Sequence, residues 1–266
     1  MSHHEASLKA QFYLTAPQPC AYLEGREERK VFTTLAGARA VTVNNALSLK
    51  GFRRSQSVIY RPACVGCSAC MSIRIPTREF KPSRTQRRIL KRNERLVRRP
   101  CEAWATESQF ALFRQYLGAR HSDGGMADMD AFDYASMVDE TPVNTMVVEY
   151  LEEDPDTGGQ TLIAACLSDV LGDGLSMVYS YFEPSDPARS LGSYMILDHI
   201  AMAREMGLSH VYLGYWVSGS PKMDYKIGYR PFELCDGSNW HRFSNREDIH
   251  DWQSRRYQAI QSELMD

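Results

Sequence analysis

The sequence has no run of 18 apolar residues free of charge, which excludes an ordinary membrane-spanning helix. Its first residues, Met1 to Leu23, carry no basic segment followed by an apolar one, so a cytoplasmic protein is expected. Seven cysteines in 266 residues are too few for a disulfide scaffold, and an odd number suits free thiols or metal ligands. Familiar catalytic templates are also missing. There is no Gly-x-x-x-x-Gly-Lys-Ser/Thr, no His-Glu-x-x-His and no Gly-x-Ser-x-Gly, so nucleotide hydrolysis, zinc proteolysis and serine hydrolysis lose support. With 43% hydrophobic and 24% charged residues the chain is an ordinary globular one, long enough for one large α/β unit or two domains.

Net charge is low as well, at −2, which at first argues against a nucleic-acid partner. The average conceals segregation. Residues 78–99 hold ten Arg or Lys against Glu79 and Glu94, a local +8, and the remainder sums to −10. A basic stripe on an otherwise acidic chain is the pattern of a specific anion-binding surface. The stripe predicts a helix over 85–98, with Ser83 as N-cap and Pro100 beyond its end. Basic residues at 84, 87, 88, 91, 92, 95 and 98 recur at three- and four-residue spacing, so most share one face. Gly-Phe-Arg-Arg-Ser (51–55) and Tyr60-Arg61 add cations and an aromatic for base stacking.

Upstream, residues 39–43 and 57–60 read as short strands. Downstream, a helix is predicted at 107–117 and strands at 145–151, 161–170 and 175–182. Turns at Asp-Thr-Gly-Gly (156–159) and Gly-Asp-Gly (172–174) make these three strands an antiparallel meander. A Pro-rich loop at 183–190, a helix at 191–206 and a strand at 210–217 follow. This order predicts an α+β chain with an N-acetyltransferase-like second domain, in which the loop before the long helix offers backbone N–H groups to an acyl donor. The expected division is a Cys-bearing, basic domain over 1–100 and an acyl-transfer domain over 101–266.

Three constellations could carry chemistry. Cys64, Cys67 and Cys70 in Cys-Val-Gly-Cys-Ser-Ala-Cys have the two-residue gaps that let thiolates converge on one ion, and nearby cations are expected to favour the thiolate. Cys20 in Pro-Cys-Ala-Tyr-Leu is the candidate fourth ligand, and such a set suits zinc or an iron–sulfur cluster. Ser-Gly-Ser-Pro-Lys-Met-Asp-Tyr-Lys (218–226), after a strand, combines small residues, cations and aromatics as a substrate loop would. His121 could act as a base, but a lone His in a polar loop is more often a surface hydrogen-bonding residue.

These segments resemble a known family. Pro-Cys-Ala-Tyr-Leu (19–23), Gly-Phe-Arg-Arg-Ser, Tyr-Arg-Pro-Ala-Cys-Val-Gly-Cys-Ser-Ala-Cys (60–70) and Phe-Lys-Pro-Ser-Arg-Thr-Gln-Arg-Arg (80–88) are similar to the aminoacyl-tRNA–protein transferases of the N-degron pathway. Arg-His-Ser-Asp-Gly-Gly-Met (120–126) and Gly-Ser-Pro-Lys-Met-Asp-Tyr-Lys (219–226) extend the match into the second half. The compact length resembles the bacterial branch, which transfers leucine from leucyl-tRNA to N-terminal Asp or Glu and so creates a destabilising N-terminus. The eukaryotic arginyltransferases are similar in motif, so arginyl-tRNA is the alternative donor.

The resemblance implies an N-acetyltransferase-like domain that uses charged tRNA in place of acetyl-CoA, and zinc or a cluster at Cys20, Cys64, Cys67 and Cys70. The donor is an activated ester, so the transfer itself needs no ATP or redox cofactor. Candidate roles follow from that chemistry. Lys222, Lys226 and Arg230 would pair with the acceptor carboxylate, and Tyr225 and Lys226 would move protons. Ser190, Gly192 and Tyr194 would meet the aminoacyl-ribose, while Arg84, Arg87, Arg88, Lys91 and Arg92 would grip tRNA phosphates. Two rivals are a non-catalytic, metal-stabilised RNA-binding protein and an acetyl-CoA-dependent acetyltransferase. The first leaves the loops at 183–194 and 218–226 without a purpose, and the second wants a Gly-rich pyrophosphate loop where this chain has Arg-Ser-Leu-Gly-Ser-Tyr. Oligomeric state is open.

Overall fold

The computed structural model describes residues 10–120, 126, 128–154 and 156–263, the last nine of these by backbone alone from 255 onward. The chain begins with β1 (Tyr13–Leu14), β2 (Gln18–Pro19), β3 (Glu27–Glu28), β4 (Lys30–Thr34), α1 (Ala40–Ser48), β5 (Arg53–Ser55), β6 (Val58–Pro62) and β7 (Cys70–Pro76). Next come α2 (Arg84–Arg92), β8 (Val97–Glu102), α3 (Glu107–Arg120), α4 (Ala131–Asp139), β9 (Thr145–Glu153), β10 (Gln160–Val170) and β11 (Gly174–Phe182). Finally α5 (Leu191–Glu205), β12 (His210–Val217), β13 (Phe232–Cys235), β14 (Trp240–Phe243) and α6 (Arg246–Glu263) complete it.

An eight-stranded sheet, ordered β14-β13-β7-β12-β11-β10-β9-β8, forms the centre. Strands β9, β10 and β11 pair antiparallel as the turns predicted, and β12 returns through α5 to lie parallel to β11. That meander, helix and parallel strand are the expected N-acetyltransferase-like α+β arrangement. The strands read as nearly continuous apolar runs because both faces are covered. Val148, Ala164 and Cys166 pack with α2 and α5, while their neighbours Val147, Ala165 and Leu167 pack with α3 and α4. Among the described residues no helix is long and apolar enough to cross a membrane.

Two expectations are corrected. Residues 39–43, read as a strand from Val41, Thr42 and Val43, lie at the start of α1, where Ala40, Asn44 and Ser48 form a buried face at four-residue spacing. The basic helix ends at Arg92 and not at 98. Asn93 is fully buried, its amide donates to the carbonyls of Ile89 and Arg189 (3.0 and 2.8 Å), and the chain turns into β8, where Val97 faces Leu151. The large sheet draws strands from both sides of residue 100. β7 lies between β12 and β13, and β8, which spans that residue, edges the same sheet.

The small sheet β1-β4-β6-β5 is joined to the large one by a buried ion pair. Arg54 donates Nε and Nη2 to the two carboxylate oxygens of Asp169, each at 2.6 Å, and both side chains are 1% exposed. Thr145 adds a hydrogen bond to Asp169 at 2.8 Å. Arg54 therefore faces protein, and not the nucleic acid suggested by its sequence neighbourhood. Arg61 is likewise turned inward, stacking on Phe52 and donating to the carbonyl of Gly237 at 2.9 Å.

Candidate active site

Strands β11 and β12 pair over only three residues each, Gly174–Ser176 against His210–Tyr212, and then part. Both strands are irregular at the fork. On β11 the register with β10 slips, so Val178 has no partner in either neighbour; on β12 Leu213 and Gly214 together face the single residue Ile73. Arg53, the first residue of β5, fills the gap. Its Nη2 donates to the freed carbonyl of Val178 at 2.5 Å. Gly214 adopts φ +73°, and a Cβ there would stand 2.6 Å from Arg53 Nη1, so only glycine lets the guanidinium lie against β12.

Lys226 arrives at the same fork from the short helical turn Pro221–Gly228 that follows β12. It is 5% exposed, and its Nζ donates to the carbonyl of Tyr215 at 2.6 Å. Burial, reinforced by the Arg53 charge, lowers its pKa to about 7, so near neutral pH about half of these amines are uncharged. Of the other cations expected to read the acceptor, Lys222 and Arg230 are exposed, and Arg230 turns its Nε back to the carbonyl of Ile227 at 3.4 Å. Tyr225 is 54% exposed, with the Lys226 ammonium 5.8 Å from its ring centre.

Ser190 precedes α5 in the left-handed region, at φ 53°, and no side chain caps the helix. The first N–H groups of α5 thus have no helical partners, as at any helix start. Gly192 leaves room for Phe182, since a Cβ would sit 3.3 Å from its ring. Tyr194 is placed differently from expectation. It is buried in the core, edge-on to Tyr150 at 5.5 Å, and burial pushes its phenol up to about 12. Its ring belongs to the main hydrophobic core.

Helix α2 links these two loops. Ser83 caps it, as the sequence suggested, in a reciprocal box with Gln86 that the sequence reading did not include, and the same Gln86 donates to the carbonyl of Gly228 at 3.1 Å. At its other end Arg92 donates to the carbonyl of Ala188. Arg189 in turn bonds Asn93 (3.1 Å) and both oxygens of Glu152 (3.0 and 3.1 Å). Arg84, Arg87, Arg88, Lys91 and Arg92 are all exposed on this helix, whereas Arg98 is drawn into β8 and pairs with Asp198 and Glu205. Replacing Arg87, Arg88 and Lys91 by Ala should weaken RNA binding and reduce the magnitude of its log–log salt slope by about 2, as three phosphate contacts are lost. Filter binding across a salt series measures this; an unchanged slope would remove α2 from the RNA interface.

The four cysteines line one cavity of about 100 Å³ with Tyr22, Tyr60 and Tyr215, behind the fork. None is in a disulfide. The backbone N–H of Arg29 donates to Cys64 Sγ at 3.5 Å. The expectation that neighbouring cations favour thiolates fails at Cys70. Burial, and then the other three sulfurs, push this thiol up to about 12. Four soft donors around one cavity fit a thiophilic ion or cluster in chemistry. As they stand, no three His, Cys, Asp or Glu side chains among the described residues are close enough together to hold an ion.

Sequence reading overlooked Arg53 as a site residue, although two signals were present: the Arg-Arg pair in Gly-Phe-Arg-Arg-Ser and the lone Gly214 within an otherwise bulky strand. His121 lies outside the described residues.

Comparison with known proteins agrees with the arrangement. The models described as "Arginine-tRNA-protein transferase, N terminus" and "Arginine-tRNA-protein transferase, C terminus" match residues 18–88 and 108–236. A protein of Ruegeria sp. (strain TM1040) named "Aspartate/glutamate leucyltransferase" is 58% identical over 237 residues, 89% of this chain and 85% of its own. Relatives of the same name from Paracoccus denitrificans (58% identical, 86% and 84% covered) and Cereibacter sphaeroides (54%, 92% and 88%) are similar in extent. Among solved structures FemX overlaps 84% of this chain and 73% of its own at 8% identity and a TM-score of 0.46, too distant to argue from. The chain belongs to the aminoacyl-tRNA–protein transferase family that includes the arginine-tRNA-protein transferases and the aspartate/glutamate leucyltransferases.

Proposed function

We propose that this protein transfers leucine from leucyl-tRNA to the N-terminal Asp or Glu of acceptor proteins, in the cytoplasm. The observation that carries the reading is α2, whose cations are exposed while its ends are hydrogen-bonded to the turn before α5 and to the turn holding Lys226. RNA held there presents its aminoacyl end to both loops. The names of relatives 54–58% identical over most of the chain favour leucine over arginine.

The reaction breaks the ester between leucine and the terminal ribose and forms an amide with the acceptor's α-amine. That amine has an ordinary pKa of about 7.7–8.0, so roughly a tenth to a sixth is neutral at pH 7 and the site mainly orients it. The backbone N–H groups of Leu191, Gly192 and Ser193 stabilise the oxyanion. Lys226, largely neutral above pH 7, takes the proton the amine sheds, and Tyr225 passes one to the departing ribose oxygen. Cys20, Cys64, Cys67 and Cys70 are the residues that would hold zinc or an iron–sulfur cluster, which would brace the segment carrying Tyr22 against the fork. The decisive assay mixes the protein with leucyl-tRNA or arginyl-tRNA and peptides beginning with Asp, Glu or Lys. Leucine transfer to Asp and Glu peptides alone is expected, and arginine transfer would reassign the donor.

A further inference from the structure

The fork between β11 and β12 holds the cations Arg53 and Lys226. Arg53 spends one N–H on the Val178 carbonyl, and Lys226 spends one on the Tyr215 carbonyl. Among the described residues no Asp or Glu forms an ion pair with either. Arg54, the very next residue, shows the contrast, with its Nε and Nη2 closed on Asp169 and its Nη1 on the carbonyl of Gln56. Phenols surround the pair instead, since Tyr22, Tyr215 and Tyr225 all lie near enough to Arg53 to feel its charge. A half-buried guanidinium held against a strand, with most of its donors unspent and a second amine beside it, is costly unless an anion completes it. Its planar fork matches a carboxylate.

Resting on the leucine-transfer reading above, we infer that Arg53 binds the side-chain carboxylate of the acceptor's first residue, in the fork, with the acceptor's α-amine beside Lys226. The geometry favours this ligand over an RNA phosphate. Arg53 lies within the fork of the large sheet, whereas the exposed cations suited to phosphates are on α2. It also accounts for Gly214 and the slipped register at Val178. Both irregularities serve to seat one guanidinium at the point where the strands part.

The test compares peptides that differ only in a first residue of Asp, Asn, Glu or Gln, with saturating leucyl-tRNA. Wild type is expected to favour Asp over Asn by about a thousandfold in kcat/KM, because the neutral amide leaves the cation unpaired. Arg53→Gln should lower kcat/KM for the Asp peptide about 100-fold while leaving the Asn peptide within about threefold, so the preference collapses. Leucyl-tRNA affinity should not change, which reports that the variant is folded. Arg53→Lys, which retains charge but not the planar fork, should keep an intermediate preference; if the glutamine variant does not fold, this one decides. An Asp-over-Asn preference as large as that of wild type in either variant overturns the role of Arg53, as would equal slowing of Asp and Asn peptides, the mark of a residue serving the leucyl ester. A wild type that uses Asp and Asn peptides equally overturns instead the acceptor reading on which the inference rests.

Discussion

A Lys226→Met protein is expected to melt higher than wild type and to transfer leucine about 10²- to 10⁴-fold more slowly. The first effect follows from burial. The ammonium is 5% exposed and feels the Arg53 charge, and among the described residues no carboxylate pairs with it, so folding must either strip its proton or bury its charge. Methionine fills a similar volume without that cost, and a gain on the order of 1–3 kcal/mol is reasonable for such a replacement. At this chain length that is several degrees in Tm. The second effect follows if the amine moves the acceptor's proton.

pH dependence separates this account from simple repacking. The folded pKa of Lys226 is about 7 against 10.5 for a free lysine, so between those values the unfolded chain binds the extra proton. Through this group wild-type stability therefore rises with pH from about 7 to 10.5. The advantage of the variant should be full at pH 7 and below, and should disappear as pH approaches 10.5. Urea denaturation at pH 7 and 9.5 measures it. An advantage independent of pH would mean that the amine is not the source.

The Arg54–Asp169 pair should give the largest loss of stability. Arg54→Met strands a carboxylate that is 1% exposed, and breaking a buried pair in this way costs about 3–5 kcal/mol. The double replacement Arg54→Met with Asp169→Leu should recover most of the loss, because the stranded charge, and not the missing attraction, accounts for most of it. Denaturant midpoints for the two single variants and the double decide. A double variant as unstable as Arg54→Met would show that the pair is needed for geometry at the fork, one residue from Arg53.

How much of this was legible in the sequence depended on how local the cause was. The β9–β11 meander was readable because its turns and apolar runs are contiguous, and Ser83 because an N-cap bonds only within the first turn that follows it. The strand reading of residues 39–43 failed because β-branched side chains were weighed without the buried face of α1 that overrides them. Arg54 looked like an RNA contact because its partner lies 115 positions away. Arg53 needed two distant irregularities, at Val178 and Gly214, before its place at the site could be seen. The four cysteines line one cavity, but the protonation of Cys70 depends on burial that spacing does not reveal.

The position of β7 bears on how the chain is made. Ile73 and Ile75, fully buried in the finished sheet, are synthesised early, yet their strand neighbours are residues 210–217 and 232–235. Until the ribosome has released nearly the whole polypeptide, this hydrophobic strand has two bare edges and no permanent partner. The protein should therefore be slow to mature and prone to chaperone capture while nascent. A chain released before residue 210 would leave β7 exposed, so premature termination should yield aggregates rather than a surviving RNA-binding fragment.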